Sequence, residues 1–429
     1  MHPRLRRFHW ALFAIVAVAV AVRLVYVYVL APDVVGAGDW HYFHWQANLI
    51  ASGHGFIEPY SYMFTGESIP SASHPPLWTV LLAGVSKLGF THPHAHRAVG
   101  AFVGGGTVLV LGLLGRRVAG ERVGLVAAGV GAAYPILVAA DGSLMSESLY
   151  GLLVALTLLG AYRLHDRGTW GAAALLGTAI GFACLVRSEA LLFLPLLVLP
   201  VAWRVGHDRW RNIAVACLAT VVVLTPWTVR NWTTFGRPVL ISTNGPAALK
   251  GANCAQTYSG PDIGGWDLAC IGFTRRDVHN EAKADARFTR AAFDYIGNHL
   301  SELPKVLAVR VLRTWDLYQP RRQVASAEGR APNAERAGIA VYYVLMLLAV
   351  WGVVLLRRRR EPLWILLMPA VMVTLVSLGW YGLPRFRAAF EIPLVVLAGV
   401  ALVDLGSRLV IARRRRRDRG RSPAVAGAP

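Results

Sequence analysis

Residues 98–140 read AVGAFVGGGTVLVLGLLGRRVAGERVGLVAAGVGAAYPILVAA. Two apolar runs, 98–115 and 123–140, flank a connection that holds Arg116, Arg117 and Arg122. Each run approaches the length a helix needs to cross roughly 30 Å of hydrocarbon. Working outward, similar runs fall at 10–30, 148–163, 170–186, 189–204, 212–228, 337–356, 363–380 and 388–411. The chain therefore reads as an all-α polytopic membrane protein of about ten transmembrane helices. Its composition agrees, at 55% hydrophobic and only 16% charged residues.

The charge supports an orientation rather than a nucleic-acid partner. Lys and Arg number 44 against 24 Asp and Glu, a net +20, yet the basic residues gather between apolar runs. Arg4, Arg6 and Arg7 precede the first run; Arg163 and Arg167, then Arg204, Arg209 and Arg211, occupy later connections. Arg357–Arg360 and Arg413–Arg417 follow two further runs. This is the positive-inside pattern, and it puts both termini in the cytoplasm. The first run is long for a signal sequence and carries Arg23, so it reads as an uncleaved anchor. The stretch 76–90 is apolar but short and contains Lys87, so it reads as a re-entrant or interfacial helix.

Two long segments then face outward, 31–96 and 229–336. The second holds Cys254 and Cys270, the only cysteines outside predicted spans, which an oxidising exterior would allow to pair. Within 279–318 the pattern turns helical. Val306, Leu307, Val309, Val311, Leu312 and Trp315 are apolar and Arg310 and Arg313 are not, which predicts an amphipathic helix on the outer leaflet. Residues 412–429 form a basic, then Ser/Pro/Ala-rich, cytoplasmic tail expected to be disordered. No repeat of 20–50 residues is visible.

The chemistry-bearing residues sit at predicted outer span ends. Asp39 follows the first span beside Trp40, His41 and Tyr42, where a carboxylate can take a proton from a hydroxyl on a lipid-borne substrate. Its bland alternative is an ordinary helix cap. Glu147 begins a span, where an acid is costly unless paired or functional. Arg187 between two spans, Arg230 at a span exit, and Arg385 and Arg387 before the last span are outward arginines. Individually each could snorkel to headgroups; opposite the acids on the same face they favour an anion site. Gly104-Gly105-Gly106 lies inside an apolar run and lacks the lysine of a phosphate loop, so it reads as close helix packing. His92, His94 and His96 alternate as metal ligands can, but exposed loop histidines are usually only that. No metal site is assigned.

These pieces, in order, resemble the GT-C glycosyltransferases, in particular the bacterial branch related to protein O-mannosyltransferases and lipid A aminoarabinose transferases. They are Gly38-Asp39 with Tyr42, Gly53-His54-Gly55-Phe56, His74-Pro75-Pro76-Leu77, Arg97 entering a span, and Tyr134-Pro135. Ser146-Glu147, Arg187-Ser188-Glu189, Pro226-Trp227-Thr228-Val229-Arg230-Asn231 with Phe235-Gly236, and Arg385-Phe386-Arg387 complete the set. The resemblance runs from about residue 10 to 405, within one transmembrane domain over 1–411. It implies an inverting hexosyl- or pentosyltransferase in the cell's inner membrane that uses a polyprenyl-phosphate sugar at an extracytoplasmic site. The acceptor hydroxyl would belong to a protein, lipid or glycan.

The resemblance makes Asp39 the catalytic base and Glu147 the second-loop acid near it. It makes His74, Arg97, Arg187, Arg230, Arg385 and Arg387 candidates for holding donor and lipid phosphate. Many relatives carry a second acid where this chain has Trp40. No cofactor is firmly implied, and a divalent metal is the one candidate. The rival from another class is a transporter or flippase of a lipid-linked sugar, which would place ionisable residues near mid-span. Arg23 is the main residue on that side.

Overall fold

The computed structural model describes residues 3–31, 33, 38–206, 208–274, 277, 279–324 and 328–419. Every apolar run is helical. Helix α1 (Pro3–Val25) continues into a π turn at Tyr26–Leu30. The first of the two segments expected to face outward contributes α2 (Asp39–Ala51), α3 (Pro59–Thr65) and α4 (Leu77–Lys87). The bundle continues with α5 (Pro93–Ala119), α6 (Glu121–Ala133), α7 (Pro135–Gly142), α8 (Glu147–Arg167) and α9 (Trp170–Cys184). After these come α10 (Ser188–Val205, a run of 3₁₀, π and α turns) and α11 (Arg209–Phe235). The second outward segment folds as α12 (Asn244–Gly251), α13 (Glu281–Asn298) and α14 (Leu303–Thr314). Helices α15 (Pro332–Arg358), α16 (Trp364–Gly379) and α17 (Ala388–Arg419) close the chain.

The result is a multi-pass all-α membrane protein. Among the described residues seven stretches are long and apolar enough to cross a bilayer, and α6 with α7 makes an eighth, bent by 56°. The other two predicted spans, α9 and α16, hold 15 and 16 residues. At 1.5 Å per residue these reach only about 22–24 Å, less than a typical hydrocarbon core. Trp10, Phe13, Leu218, Val222, Leu347 and Val350 are exposed on the long helices, as side chains facing lipid should be.

The bundle has two chemically distinct ends. Arg117 pairs with Asp166 and approaches Glu361 at 3.5 Å, and Arg116 lies 4.7 Å from the Phe8 ring centre. The arginine-rich connections therefore collect at one end. Helix α8 runs from Glu147 to Arg167, about 30 Å, so Glu147 stands at the other.

Arg23 explains the bent span. Pro135 has no N–H to give the Gly131 carbonyl and forces the break. Arg23 supplies the missing donors, with Nη2 to Gly131 O at 3.1 Å and Nη1 to Ala132 O at 3.2 Å. Its Nε donates to Asp141 Oδ2 at 2.6 Å. Gly104 makes room for the pair, since a Cβ there would stand 2.0 Å from the Asp141 carboxylate.

Two expectations are corrected. In α14 the arginines face inward: Arg310 and Arg313 are 2% and 6% exposed, while Leu312 is 37% exposed. Arg310 Nη2 donates to the Ala252 carbonyl and Asn253 Oδ1, and Arg313 reaches the carbonyls of Gly382 and Ile263. Loop carbonyls inside the outward segment need donors more than the charges need water. The basic tail does not begin as disorder either, because α17 carries on to Arg419. Residues 420–429 lie outside the described residues.

Candidate active site

The site forms where α2, α8, the α9–α10 turn and the 3₁₀ turn Pro384–Arg387 meet at the end opposite the arginine-rich connections. Asp39 is the first residue of α2, where the helix dipole favours an acid. Its carboxylate is not spent on capping. Oδ2 accepts from Arg385 Nη2 at 3.4 Å, and Oδ1 lies 3.6 Å from His74 Nε2. His74 packs against Tyr42 and Phe43 at ring distances of 4.6 and 5.0 Å. Burial lowers its pKa although Asp39 pulls the other way, which favours a neutral imidazole.

Arg385 is the hub. Nε donates to Glu147 Oε1 at 2.7 Å, and Nη1 donates to Glu328 Oε1 at 2.8 Å. Glu147, with a side chain only 1% exposed, also accepts from Arg187 Nη1 at 3.1 Å. Its second oxygen is buried with no hydrogen-bond partner among the described residues. Arg187 Nε also donates to Glu189 Oε1 at 2.5 Å. Its guanidinium lies 5.7 and 5.5 Å from the Tyr150 and Phe386 ring centres. Burial opposes the Arg187 charge, but Glu189 and Glu147 outweigh it and raise its pKa.

Glu328 was not legible as a site residue. It follows a polar stretch with no periodicity, yet it reaches both Arg385 and, through Oε2, the backbone N–H of Asp39 at 3.0 Å. Burial raises its carboxyl pKa, with Arg385 pulling it down. Tyr60 donates to the Gly38 carbonyl at 3.1 Å and is pushed up to about 12, mainly by burial and then by Asp39. Tyr381 is likewise pushed up to about 12 by burial.

The structure thus brings Asp39, His74, Glu147, Arg187 and Arg385 together, and holds three other candidates in different work. Arg97 donates to the carbonyls of Gly142 and Ala31, both at 2.6 Å, where two helical segments end. Arg230 donates to the Ser71 and Phe56 carbonyls at 2.9 Å each and lies 4.9 Å from the Trp227 ring centre, pinning the first outward segment. Free backbone acceptors at helix and loop ends capture such arginines.

Arg387 lines a small cavity shared with Arg385 and Glu147, but its guanidinium is engaged. It donates to Glu391 at 2.6 Å and Asp316 at 2.8 Å, and sits 3.7 Å from the Tyr342 ring centre. Away from the site, Cys254 and Cys270 are joined, and Cys184 and Cys217 are free.

A divalent metal does not fit this arrangement. The space between the carboxylates of Asp39, Glu147 and Glu328 is filled by the Arg385 guanidinium, which bonds all three. Among the described residues no group of three His, Cys, Asp or Glu could hold a metal ion. His94 and His96 are engaged apart: His96 bonds His44 at 3.0 Å and Ser86 at 2.8 Å, and His94 stacks on Tyr28.

Residues 73–232 match the family model described as dolichyl-phosphate-mannose-protein mannosyltransferase. The archaeal oligosaccharyltransferase AglB of Archaeoglobus fulgidus, in complex with an inhibitory peptide and a dolichol-phosphate, aligns with a TM-score of 0.54 at 15% identity. That alignment covers 98% of this chain and 52% of AglB. This chain has the GT-C fold. The oligosaccharyltransferase of the same organism in complex with Zn and sulfate gives a TM-score of 0.54 at 14% identity, over 92% and 49% of the two chains. ArnT of Cupriavidus metallidurans bound to undecaprenyl phosphate aligns at 18% identity and a TM-score of 0.40, over 91% and 77%. The chain spans about half the length of the oligosaccharyltransferases it matches. No curated protein matches its sequence significantly. In this GT-C fold the Asp39–Arg385 cluster sits where segments from both outward regions converge on the bundle.

Proposed function

We propose that this chain is an inverting glycosyltransferase that moves a hexose or pentose from a polyprenyl-phosphate donor to an acceptor hydroxyl. The reaction runs on the extracytoplasmic face of the inner membrane, and the acceptor is a protein, lipid or glycan. The observation that carries this reading is the Asp39 carboxylate held beside Arg385, with Arg187 on the same buried Glu147. A carboxylate and two fixed guanidiniums at a membrane-exposed bundle end suit displacement of an anionic lipid leaving group. The matched family model and the AglB complex both involve dolichyl phosphate, which favours a polyprenyl-phosphate carrier.

In this mechanism Asp39 takes the proton of the acceptor hydroxyl, and the oxygen attacks the anomeric carbon. The bond from that carbon to the phosphate oxygen breaks, and its electron pair leaves on the polyprenyl phosphate. Arg385 and Arg187 stabilise the charge that gathers there, in surroundings drier than bulk water. Neutral His74 keeps a further positive charge away from Asp39, leaving the carboxylate free to receive the proton. No step runs through a metal, because Arg385 fills the space between the acids.

The extracytoplasmic placement rests on the positive-inside rule, since the arginine-rich connections share the end opposite the site. Arg23 gives no support to the flippase reading: its guanidinium is fully used at the Pro135 break and on Asp141. The test is the anomeric configuration of product made by purified protein from a polyprenyl-phosphate sugar of known configuration, read by proton coupling constants. Inversion is expected. Retention would remove Asp39 from the role of base in a single displacement.

A further inference from the structure

The charges at the site do not balance. Four carboxylates, Asp39, Glu147, Glu189 and Glu328, contact one another's partners, and two guanidiniums, Arg187 and Arg385, answer them. With His74 neutral, an incoming phosphate would add negative charge to a cluster that already has an excess. Buried like charges repel strongly, so the cluster as it stands disfavours the donor's head.

One carboxylate is held differently from the rest. Glu328 bridges two donors, with Oε1 on Arg385 Nη1 at 2.8 Å and Oε2 on the Asp39 N–H at 3.0 Å. That N–H opens the 13-residue helix α2, so a guanidinium and a helix N-terminus each hold one oxygen of the same carboxylate. These are the donors that bind a phosphate group elsewhere in proteins. Glu328 stands in a turn rather than in a helix, beside a water-sized cavity that it lines with Glu147, Arg330, Glu335 and Leu383. Asp39, Glu147 and Glu189 sit on regular helical elements instead.

We infer that the Glu328 carboxylate occupies the donor-phosphate subsite and is exchanged for the phosphate when the polyprenyl-phosphate donor binds. The subsite is then Arg385 Nη1 together with the Asp39 N–H. The exchange removes one negative charge as the phosphate brings its own. It also leaves Asp39 Oδ2 on Arg385 Nη2, so one guanidinium holds both base and leaving group. The inference rests on the transferase reading above and adds to it the identity of the phosphate-binding groups and of their competitor.

The experiment measures binding of undecaprenyl phosphate to the purified full chain in nanodiscs. Wild type is compared with Glu328→Gln and Glu328→Ala, each first shown to match wild type in elution and thermal unfolding. Inorganic phosphate and phosphatidylglycerol are the companion probes. Both variants are expected to bind undecaprenyl phosphate about tenfold more tightly, and inorganic phosphate to compete better in both. Phosphatidylglycerol binding should not change. Equal or weaker binding of undecaprenyl phosphate by both variants overturns the exchange and leaves the transferase reading standing. An equal gain for phosphatidylglycerol overturns it too, since the effect would then be a general change of surface charge. No saturable binding of undecaprenyl phosphate by wild type or either variant overturns both readings.

Discussion

A methyl group at Gly38 would stand 2.6 Å from Glu328 Oε2 and 2.8 Å from its Cγ. The start of α2 is therefore close-packed against the residue that meets its first N–H. Gly38→Val should push Asp39 off Arg385 while the bundle stays folded. A displacement near 1 Å predicts a fall in kcat of about 10–100-fold, read in a transfer assay with thermal unfolding as the control. Arg23 is a second residue where one change is decisive. Arg23→Leu strands a buried Asp141 and two carbonyls at the Pro135 break, and should destabilise the protein by about 3–5 kcal/mol in detergent unfolding. The sequence marked Arg23 as a charge inside an apolar run. It did not show that the partner lay 118 positions away, because an apolar run reveals depth and hides which neighbour it faces.

Helix α13 joins the two outward segments. Ser71 Oγ donates to Glu281 Oε1 at 2.7 Å, while the Ala72 N–H at 3.0 Å and Thr243 Oγ1 at 2.6 Å donate to Oε2. One turn on, Asp285 is pushed up to about 7, by burial first and Glu281 second. The folded state keeps a proton there that the unfolded chain releases near pH 4. This contribution to stability is therefore complete below about pH 4 and is lost as pH rises to about 7. Asp285→Asn should raise the unfolding temperature more at pH 8 than at pH 4.5; an equal gain at both would contradict it. Element boundaries were largely legible, since each predicted span is helical, although 123–140 is divided between α6 and α7. The facing of charged residues was not. Arg97, Arg230, Arg310 and Arg313 sit at span ends or on an amphipathic face, where the pattern allows water, phosphate or carbonyl partners. In each case backbone carbonyls hold the guanidinium, a tertiary outcome that spacing does not encode.

Across the whole molecule, the bundle has an arginine-rich end and an opposite end that carries the Asp39–Arg385 cluster. Ser259 lies exposed in the second outward segment, and Arg359 lies exposed in the α15–α16 connection. With the native free cysteines replaced, Ser259→Cys should react with a membrane-impermeant maleimide in intact cells. Arg359→Cys should react only after permeabilisation, and the reverse pattern would turn the site toward the cytoplasm. The fold class, the spans and the pairing of acids with arginines at one end could be read from alternating apolar runs and arginine clusters. Glu328 could not, because a lone acid in an aperiodic stretch gives no sign of which site the chain folds it against. The central claim is that Asp39 acts as base in sugar transfer from a polyprenyl phosphate. It is tested most directly by following label from radioactive polyprenyl-phosphate sugars into acceptor in membranes bearing wild type or Asp39→Asn at matched expression. Label is expected in acceptor with wild type, with a loss of at least about a hundredfold for Asp39→Asn. Equal transfer by the two proteins would contradict it.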